Sequence, residues 1–555
     1  MTATDESRMG VGTSAGYRWR WVALFVILAA EVMDMLDAMI TSIAAPSIRA
    51  DLGGSASIVQ WLGAAYTLAM AVGLITGGRL GDVVGRRRMF VIGALGFTAG
   101  SLLCALAQDP EMLIAFRGLQ GLFGAVMLPQ GLGMIKEMFA EEEMGKAFGA
   151  FGPVMGLSSV GGPILAGWLI DADLFGTGWR MIFLINLPLG LLAVLGGLRF
   201  LPASRSPEAA RLDLVGVLLA ALASLLMVYP LVQGRELGWP AWTFAMIAVG
   251  VAVFGLFGWY EARTKRAGGH PLVVPSLFHK RGFTGGLVVG TVFFSGMAGF
   301  SLVFSLFLQI GLGYSPLRAG LSTVPWSAGV VIGFGVAQAV QKFGRRVIHG
   351  GTLVMALGVA AIVLTLHLAG TGVGPWDFVP ALTLTGIGMG LLMAPFFDTV
   401  LAAVEPHETG SASGTLTAVQ QFGSALGVAV LGTIFFGVLG GQVASATDSA
   451  APKAFAAAGV SGPARDRLVA GLRDCGHDRA VARDAEAVPA SCLRAEGEVR
   501  AAGVPAQRAA ADVGRTAVKS GFVETMKIVL WVEVGLLGLT FLAAFLLPRH
   551  AREPK

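Results

Sequence analysis

Charge is scarce in this chain. Asp, Glu, Lys and Arg make up 14% of its 555 residues, where soluble proteins carry about a quarter and a soluble chain of this length divides into several domains. That shortage argues against a soluble enzyme or a nucleic-acid binder. Histidine is also rare, at 7 residues. No HExxH or CxxC pattern occurs, and although His477 and Cys475 lie close together, two ligands do not make a zinc site. There is no GxxxxGK[ST] loop to cradle a nucleotide phosphate, which argues against ATP as the energy source. No metal and no cofactor are expected. Of the three cysteines, Cys104 falls in an apolar run, while Cys475 and Cys492 fall in a polar segment and form a candidate disulfide if that segment lies outside the cytoplasm. A cleavable signal peptide is not expected: the first 20 residues are polar and the apolar run behind them is too long.

Apolar surface dominates what is present. Hydrophobic residues reach 55% and glycine numbers 79, with a mean hydropathy of +0.72. Glycine at that level suits helices packed closely in lipid. About 20 apolar residues span a hydrocarbon core, and fourteen such runs can be counted between residues 20 and 547. The expected class is an all-α integral membrane protein with 14 transmembrane helices. Lys and Arg gather in GRLGDVVGRRR (78–88), EARTKRAGG (261–269), LFHKRG (277–282) and KFGRR (342–346), whereas AQDPE (107–111), DADLFGTG (171–178) and GTGVGPW (370–376) have almost none. The positive-inside rule then places both termini in the cytoplasm of a cell (plasma) membrane.

An internal repeat is visible. GRLGDVVGRRR returns in worn form as AQAVQKFGRRV (337–347), and GAVMLP (124–129) returns as GLLMAP (390–395). The expected organisation is a cytoplasmic tail at 1–19, a six-helix bundle at 20–201, two inserted linker helices at 212–261, a second six-helix bundle at 283–440 and 526–547, and a cytoplasmic tail at 548–555. Between the last two helices lies an extracytoplasmic insertion, 441–524, rich in Ala, Arg, Asp and Gly. Its pattern suggests short amphipathic helices. The plain reading is a loosely folded insertion; the alternative is a lid or partner-binding hairpin clamped by Cys475 and Cys492.

The first run contains Glu31, Asp34 and Asp37, spaced by three, with Thr41 on the same sector. A charge at the centre of a lipid-facing helix costs roughly 2.5–3.5 kcal/mol, so the stripe must face other helices or a wet cavity. An acid there has two competing occupants, a proton or a cation, and can couple their movements. Asp37 and Asp34 lead as coupling residues because they lie nearest the middle of the run. In the fourth run, Arg117 is expected to neutralise or tune these acids, with Gln120 one turn on. The bland alternative is a structural ion pair such as Asp34 with Arg117. Gln309, Gln420 and Gln421 are candidate cavity residues, together with Thr41 and Gln120. Asp398 and Glu533 are further acids in apolar runs. In the loop, Gly78 and Gly85 permit a tight turn, Asp82 can satisfy N–H groups at a helix start, and Arg86 and Arg87 can hold acids or lipid phosphates. In the fifth run Ser158, Gly162, Pro163 and Gly167 allow close approach and a bend, suited to a seal or pivot.

These segments resemble the major facilitator superfamily, and within it the fourteen-helix drug:proton antiporters. GRLGDVVGRRR is similar to the superfamily's loop motif. LDAMITSIAAP (36–46) is similar to the family's LDxTIVNVALP, with Asp37 at its acid, Met39 in place of Thr and Ser42 in place of Asn. RGLQGLFGA (117–125), SSVGGPILAG (158–167), WRMIFLINLPLG (179–190), LQIGLGYSPLRAGLSTVP (308–325) and GSASGTLTAVQQFGSALG (410–427) match further family patterns. Ser158 and Ala166 replace family glycines. The resemblance implies the major facilitator fold, alternating access, and inward movement of protons as a small molecule leaves. It also implies a central-cavity role for the helix 1 acid, a proton-coupling role for Arg117, and conformational switching at Gly78, Asp82, Gly85, Arg86 and Arg87. The expected function is export of hydrophobic, cationic drugs or toxic compounds. The alternative is a dedicated exporter of one endogenous product (antibiotic, siderophore or lipid), which a high-GC bacterial composition favours. A distant third is a non-transporting sensor acting through 441–524. The expected partners are a small-molecule substrate, protons and the lipid bilayer, with no nucleic acid and a monomeric chain.

Overall fold

The computed structural model describes residues 17–139, 143, 147, 151–203, 212–234, 236–402, 404–405, 409–481 and 488–548. The expected tails, apart from 17–19 and 548, lie outside the described residues, as do most of the loop between the fourth and fifth runs and most of the boundary at 202–211. Among the described residues all regular structure is helical. The helices are α1 (Arg20–Leu52), α2 (Ala56–Val84), α3 (Arg86–Ala105), α4 (Pro110–Met138) and α5 (Phe151–Asp171). They continue with α6 (Gly178–Phe200), α7 (Leu214–Gln233), α8 (Ala241–Arg266), α9 (Arg281–Gly311), α10 (Pro316–Phe343), α11 (Arg345–Gly372) and α12 (Pro375–Leu401). The last four are α13 (Thr409–Ala457), α14 (Gly462–Val481), α15 (Ala490–Ala501) and α16 (Val504–Ala543).

Twelve of these are long and apolar enough to cross a membrane, counted over the described residues. The sequence leads to an expectation of fourteen. Of the fourteen expected spans, the two that fall outside the twelve are α1, 33 residues long and carrying Glu31, Asp34 and Asp37 within its apolar stretch, and α5, 21 residues long. In α1 the shortfall is the acid stripe itself, which dilutes an otherwise apolar segment.

Local signals fix the helix ends. Asp109 accepts from Met112 N (2.7 Å) with Pro110 at the first helical position, a strong start for α4. Gly85 separates α2 from α3 with φ 114°, and Gly344 separates α10 from α11 with φ 56°, both in the left-handed region that favours glycine. The two copies of the repeat therefore turn alike. Each also ties to the end of another helix: Arg87 donates to the Leu198 carbonyl at the end of α6, and Arg345 donates to the carbonyls of Phe545 (2.9 Å) and Leu547 (2.8 Å) just after α16.

Packing follows the same logic twice. α2 and α3 lie against α4, and α10 and α11 against α12. The α11–α12 crossing is close because it is lined by glycine: a Cβ at Gly388 would fall 2.6 Å from Met355 Cα. The two groups meet through α2 on α13, α5 on the start of α10, and α1 on α9, while α7 lies against α2 and α13.

Residues 441–524 depart from the plain expectation. The described residues among them do not form a loose insertion, and helix runs unbroken through 441. α13 runs on for 49 residues and α16 for 40, so both spanning helices continue beyond the apolar layer. Alanine-rich sequence sustains them. With α14 and α15 they enclose a small core of Ala451, Phe455, Leu468, Val499, Ala506 and Val513. Cys475 and Cys492 are joined as a disulfide between α14 and α15, and Cys104 is buried and free. Unfolded without reductant, the protein should take up one maleimide, at Cys104, and after reduction three, read by mass spectrometry. Three labels before reduction would contradict the folded extension.

Candidate functional site

The stripe on α1 points at the neighbouring helices of the first group, and its three acids meet different surroundings. Asp37 is 1% exposed. Its Oδ2 accepts from Arg117 Nη1 in an ion pair, and its Oδ1 accepts from Gln120 Nε2 (2.9 Å) and Asn186 Nδ2 (2.8 Å). Arg117, also 1% exposed, donates to Gln120 Oε1 (2.7 Å) and to the Leu62 carbonyl (3.4 Å). Its guanidinium carbon lies 4.3 Å from the centre of the Tyr66 ring. Ser101 Oγ accepts from Gln120 Nε2 (2.7 Å) and Asn186 Nδ2 (3.1 Å). One cluster thus joins α1, α2, α3, α4 and α6. Charge is balanced within it, and the ionised groups have the hydrogen bonds that make a buried pair tolerable.

Asp34 does not take Arg117. Its Oδ1 accepts from the Tyr66 hydroxyl. Tyr66 stacks on the guanidinium with its ring and reaches Asp34 with its oxygen, so it stands between them and leaves Arg117 to Asp37. Asp34 and Glu31 are half-buried, unlike Asp37.

Three of the candidate cavity residues have hydrogen-bond partners among the packed helices. Thr41 is buried and its hydroxyl donates to the Asp37 carbonyl (2.8 Å), as β-branched hydroxyls do within helices. Gln120 is consumed by the polar cluster. Gln309 donates to the Ile43 carbonyl (2.9 Å) and to Ser305 Oγ (3.0 Å), so it stitches α9 to α1. Gln420 is half-buried on α13, and its neighbour Gln421 donates to Met70 Sδ on α2 (3.1 Å). Asp398 is exposed near the end of α12, whereas Glu533 on α16 is 1% exposed against Gly296 of α9.

In the α2–α3 turn, α3 has no side-chain cap, so Asp82 does not serve the helix start. Its Oδ1 accepts from Arg86 Nη2 (3.0 Å) and Nε (3.3 Å), while Arg86 Nη1 donates to Glu137 Oε1 on α4 (2.9 Å). Arg86 thus spans two acids on two helices, and a Cβ at Gly78 would meet Pro129 of α4 at 3.8 Å, an ordinary contact. At the other end of the molecule, α5 forms the seam. Gly162 packs on Leu36 and Met39 of α1, and a Cβ at Gly167 would lie 2.5 Å from the Pro316 carbonyl oxygen. The Pro163 carbonyl crowds Gly320 of α10, and Ser158 Oγ donates to Val154 O (2.9 Å) within the helix. Asp171, exposed at the end of α5, accepts from Ser315 Oγ (2.7 Å) and Leu317 N (3.2 Å), capping α10 across the seam.

Residues 27–428 match the Major Facilitator Superfamily. The chain belongs to that family. A "Probable actinorhodin transporter" of Streptomyces coelicolor is 50% identical over 550 residues, covering 98% of this chain and 94% of that protein. A "Tetracenomycin C resistance and export protein" of Streptomyces glaucescens is 32% identical over 78% of this chain and 80% of that one. Among solved structures, an inward-facing, occupied bacterial homologue of the human lysosomal transporter Spinster superposes with a TM-score of 0.58 at 16% identity, covering 95% of this chain and 97% of that chain. This major facilitator chain is therefore a multi-pass membrane transporter, not an enzyme.

Sequence reasoning missed Asn186, Ser101, Tyr66, Glu137 and Asp171. Asn186 was legible in principle, since an amide in the apolar run WRMIFLINLPLG needs a partner. Replacing Asp37 by Asn would leave Arg117 charged and unpaired in the interior, at a cost of roughly 3–5 kcal/mol. Asp37→Asn should lower the thermal midpoint in detergent, and the double variant Asp37→Asn/Arg117→Gln should recover most of the loss. A double variant no more stable than Asp37→Asn would show that the pair does not govern stability.

Proposed function

We propose that this transporter exports a hydrophobic small molecule from a bacterial cell in exchange for protons, by alternating access between two six-helix bundles. α1–α6 form one bundle, α9–α13 with α16 the other, α7 and α8 are the inserted pair, and all fourteen helices cross the membrane with both termini in the cytoplasm. The observation that carries this reading is the placement of three acids on one spanning helix, of which one is locked and two are not. Asp37 has both oxygens held by donors and a cation, so accepting a proton there means dismantling the cluster. Asp34 holds a hydroxyl, which can turn from donor to acceptor, and is half-buried beside Glu31. Asp34, with Glu31, is the site at which proton and cargo displace one another. Asp37 and Arg117 keep the scaffold around it.

Inward passage of one proton releases about 2.3 kcal/mol per 100 mV, and about 1.4 kcal/mol more per unit of pH difference. At 100 mV and one pH unit the total of about 3.7 kcal/mol supports a gradient of roughly 500-fold for a neutral compound. A monovalent cationic cargo exchanged for one proton cancels the voltage term, and a second exchangeable acid restores it. The dedicated-product reading is favoured by the 50% identity to the actinorhodin transporter over nearly the whole chain, which takes in the extension at 441–524. The cargo is then an antibiotic made by the producing cell. The acid stripe alone supports the broader reading, a range of cationic drugs.

In liposomes with an internal pH indicator, wild-type protein should couple substrate movement to counter-movement of protons. Asp34→Asn should retain the folded protein and substrate binding while losing proton-driven accumulation at least tenfold. Unchanged coupling would assign the proton elsewhere. A panel of antibiotics and cationic dyes in the same vesicles decides between the two cargo classes.

A further inference from the structure

A second group of buried acids lies outside the α1 cluster, where the inserted pair meets α2. Asp213 precedes α7 and caps it: its Oδ1 accepts from Gly216 N (2.8 Å) and from the Tyr260 hydroxyl (3.0 Å). Glu261, in the last turns of α8, accepts from Val273 N through Oε2 (2.9 Å). The remaining oxygens, Asp213 Oδ2 and Glu261 Oε1, are buried with no hydrogen-bond partner among the described residues. Asp213 is 8% exposed and Glu261 2%. Both free oxygens lie over the same spot. A Cβ at Gly216 would fall 2.8 Å from Asp213 Oδ2 and closer still to Glu261 Oε1. Glycine at 216 leaves the space in which the two carboxyl groups face each other.

Two carboxylates cannot face each other in a buried space while both are ionised and unbridged. The surrounding charges indicate what bridges them. Arg79 of α2 stands close enough to act on both acids, with Asp82 further along the same helix. Three carbonyls of the segment leading to α9 already accept from Arg79: His270 (3.1 Å), Leu272 (3.1 Å) and Pro271. On α8, Lys265 donates to Ser276 Oγ (3.0 Å), Arg263 lies 5.4 Å from the Trp259 ring centre, and Tyr260 is the phenol already named. One arginine beside two acids leaves a single negative charge, and one proton cancels it. A divalent cation would leave the cluster positive, and no group of three or more acidic, His or Cys ligands occurs among the described residues.

We infer that Asp213 and Glu261 form a proton-binding site, one hydrogen shared between Asp213 Oδ2 and Glu261 Oε1, at the junction of the inserted helices with α2. The site is separate from the α1 acids and does not depend on their role in transport. With the proton in place, Glu261 holds Val273 and Arg79 holds the adjoining carbonyls, so the segment entering α9 is fastened to α2. Loss of the proton sets two like charges over Gly216 and loosens that fastening.

Infrared pH titration of the full-length protein in lipid nanodiscs tests the site. Wild type should show a carboxylic-acid carbonyl band that disappears on raising the pH, and Glu261→Gln and Asp213→Asn should each remove that same single band. If Asp213→Asn fails to fold, Asp213→Ser keeps a capping oxygen and removes the carboxyl. Amide exchange at Val273 and Gly216 should accelerate with pH in wild type, beyond the intrinsic rise, and not in Glu261→Gln. Two different bands lost in the two variants, no band lost, or replacement of the band by carboxylate on adding calcium would each overturn the shared proton.

Discussion

A buried ion pair is the constraint around which the first bundle is built. Asp37 and Arg117 are both removed from water, and neither could stay there alone. The arginine remains charged in any protein environment, so its position dictates an acid at one place on α1. The acid's second oxygen then dictates amide donors on α4 and α6, and those amides dictate a hydroxyl on α3. Five helices are brought into register by polar valences in a region where apolar contact alone gives little orientation. Tyr66 extends the order outward, since one ring serves the arginine on its face and Asp34 at its tip.

That rigidity has a counterpart in the seam between the bundles, which is built of weaker and more separable contacts. α5 meets α10 through glycines, a proline carbonyl and the exposed carboxylate of Asp171. α1 meets α9 through Gln309 and Ser305 reaching the backbone of Ser42 and Ile43. Such contacts can part without leaving a buried charge unpaired. At the opposite end Arg86 holds Asp82 and Glu137 on adjoining helices, an arrangement that can also exchange partners at the surface. A bundle that moves as a body, on seams that open, is what alternating access requires. The segment between the inserted pair and α9 is fastened to this machinery by Arg79, in the same turn-forming segment as Arg86.

Much of this is legible in the amino-acid sequence. Apolar runs gave the helices, Gly85 and Gly344 gave matching turns, and spacing by three put the acids on one face. The partner assignment was not legible, because one-dimensional spacing does not tell which of two acids a turn apart meets an arginine on another helix. Tyr66 decided that, and an aromatic residue in an apolar run carries no such signal. The backbone partners of Thr41 and Gln309 are illegible for a related reason: carbonyls compete for polar side chains in lipid, and sequence shows side chains alone. The extension at 441–524 reads as loose from its Ala-, Arg-, Asp- and Gly-rich composition with balanced charge. Its order comes from α13 and α16 continuing through it, with Phe455 at the core and a disulfide across α14 and α15.

The central claim is a division of labour on α1, a fixed anion at Asp37 beside an exchanging one at Asp34. Isotope-edited infrared difference spectroscopy on reconstituted protein, with label in the aspartate carboxyl groups, tests it most directly by following each acid as the pH on one side is lowered. The account predicts that the Asp37 carboxylate signal, assigned by its loss in Asp37→Asn/Arg117→Gln, stays unchanged while the Asp34 signal converts to carboxylic acid. A carboxylic-acid signal from Asp37, with Asp34 unchanged, would contradict it.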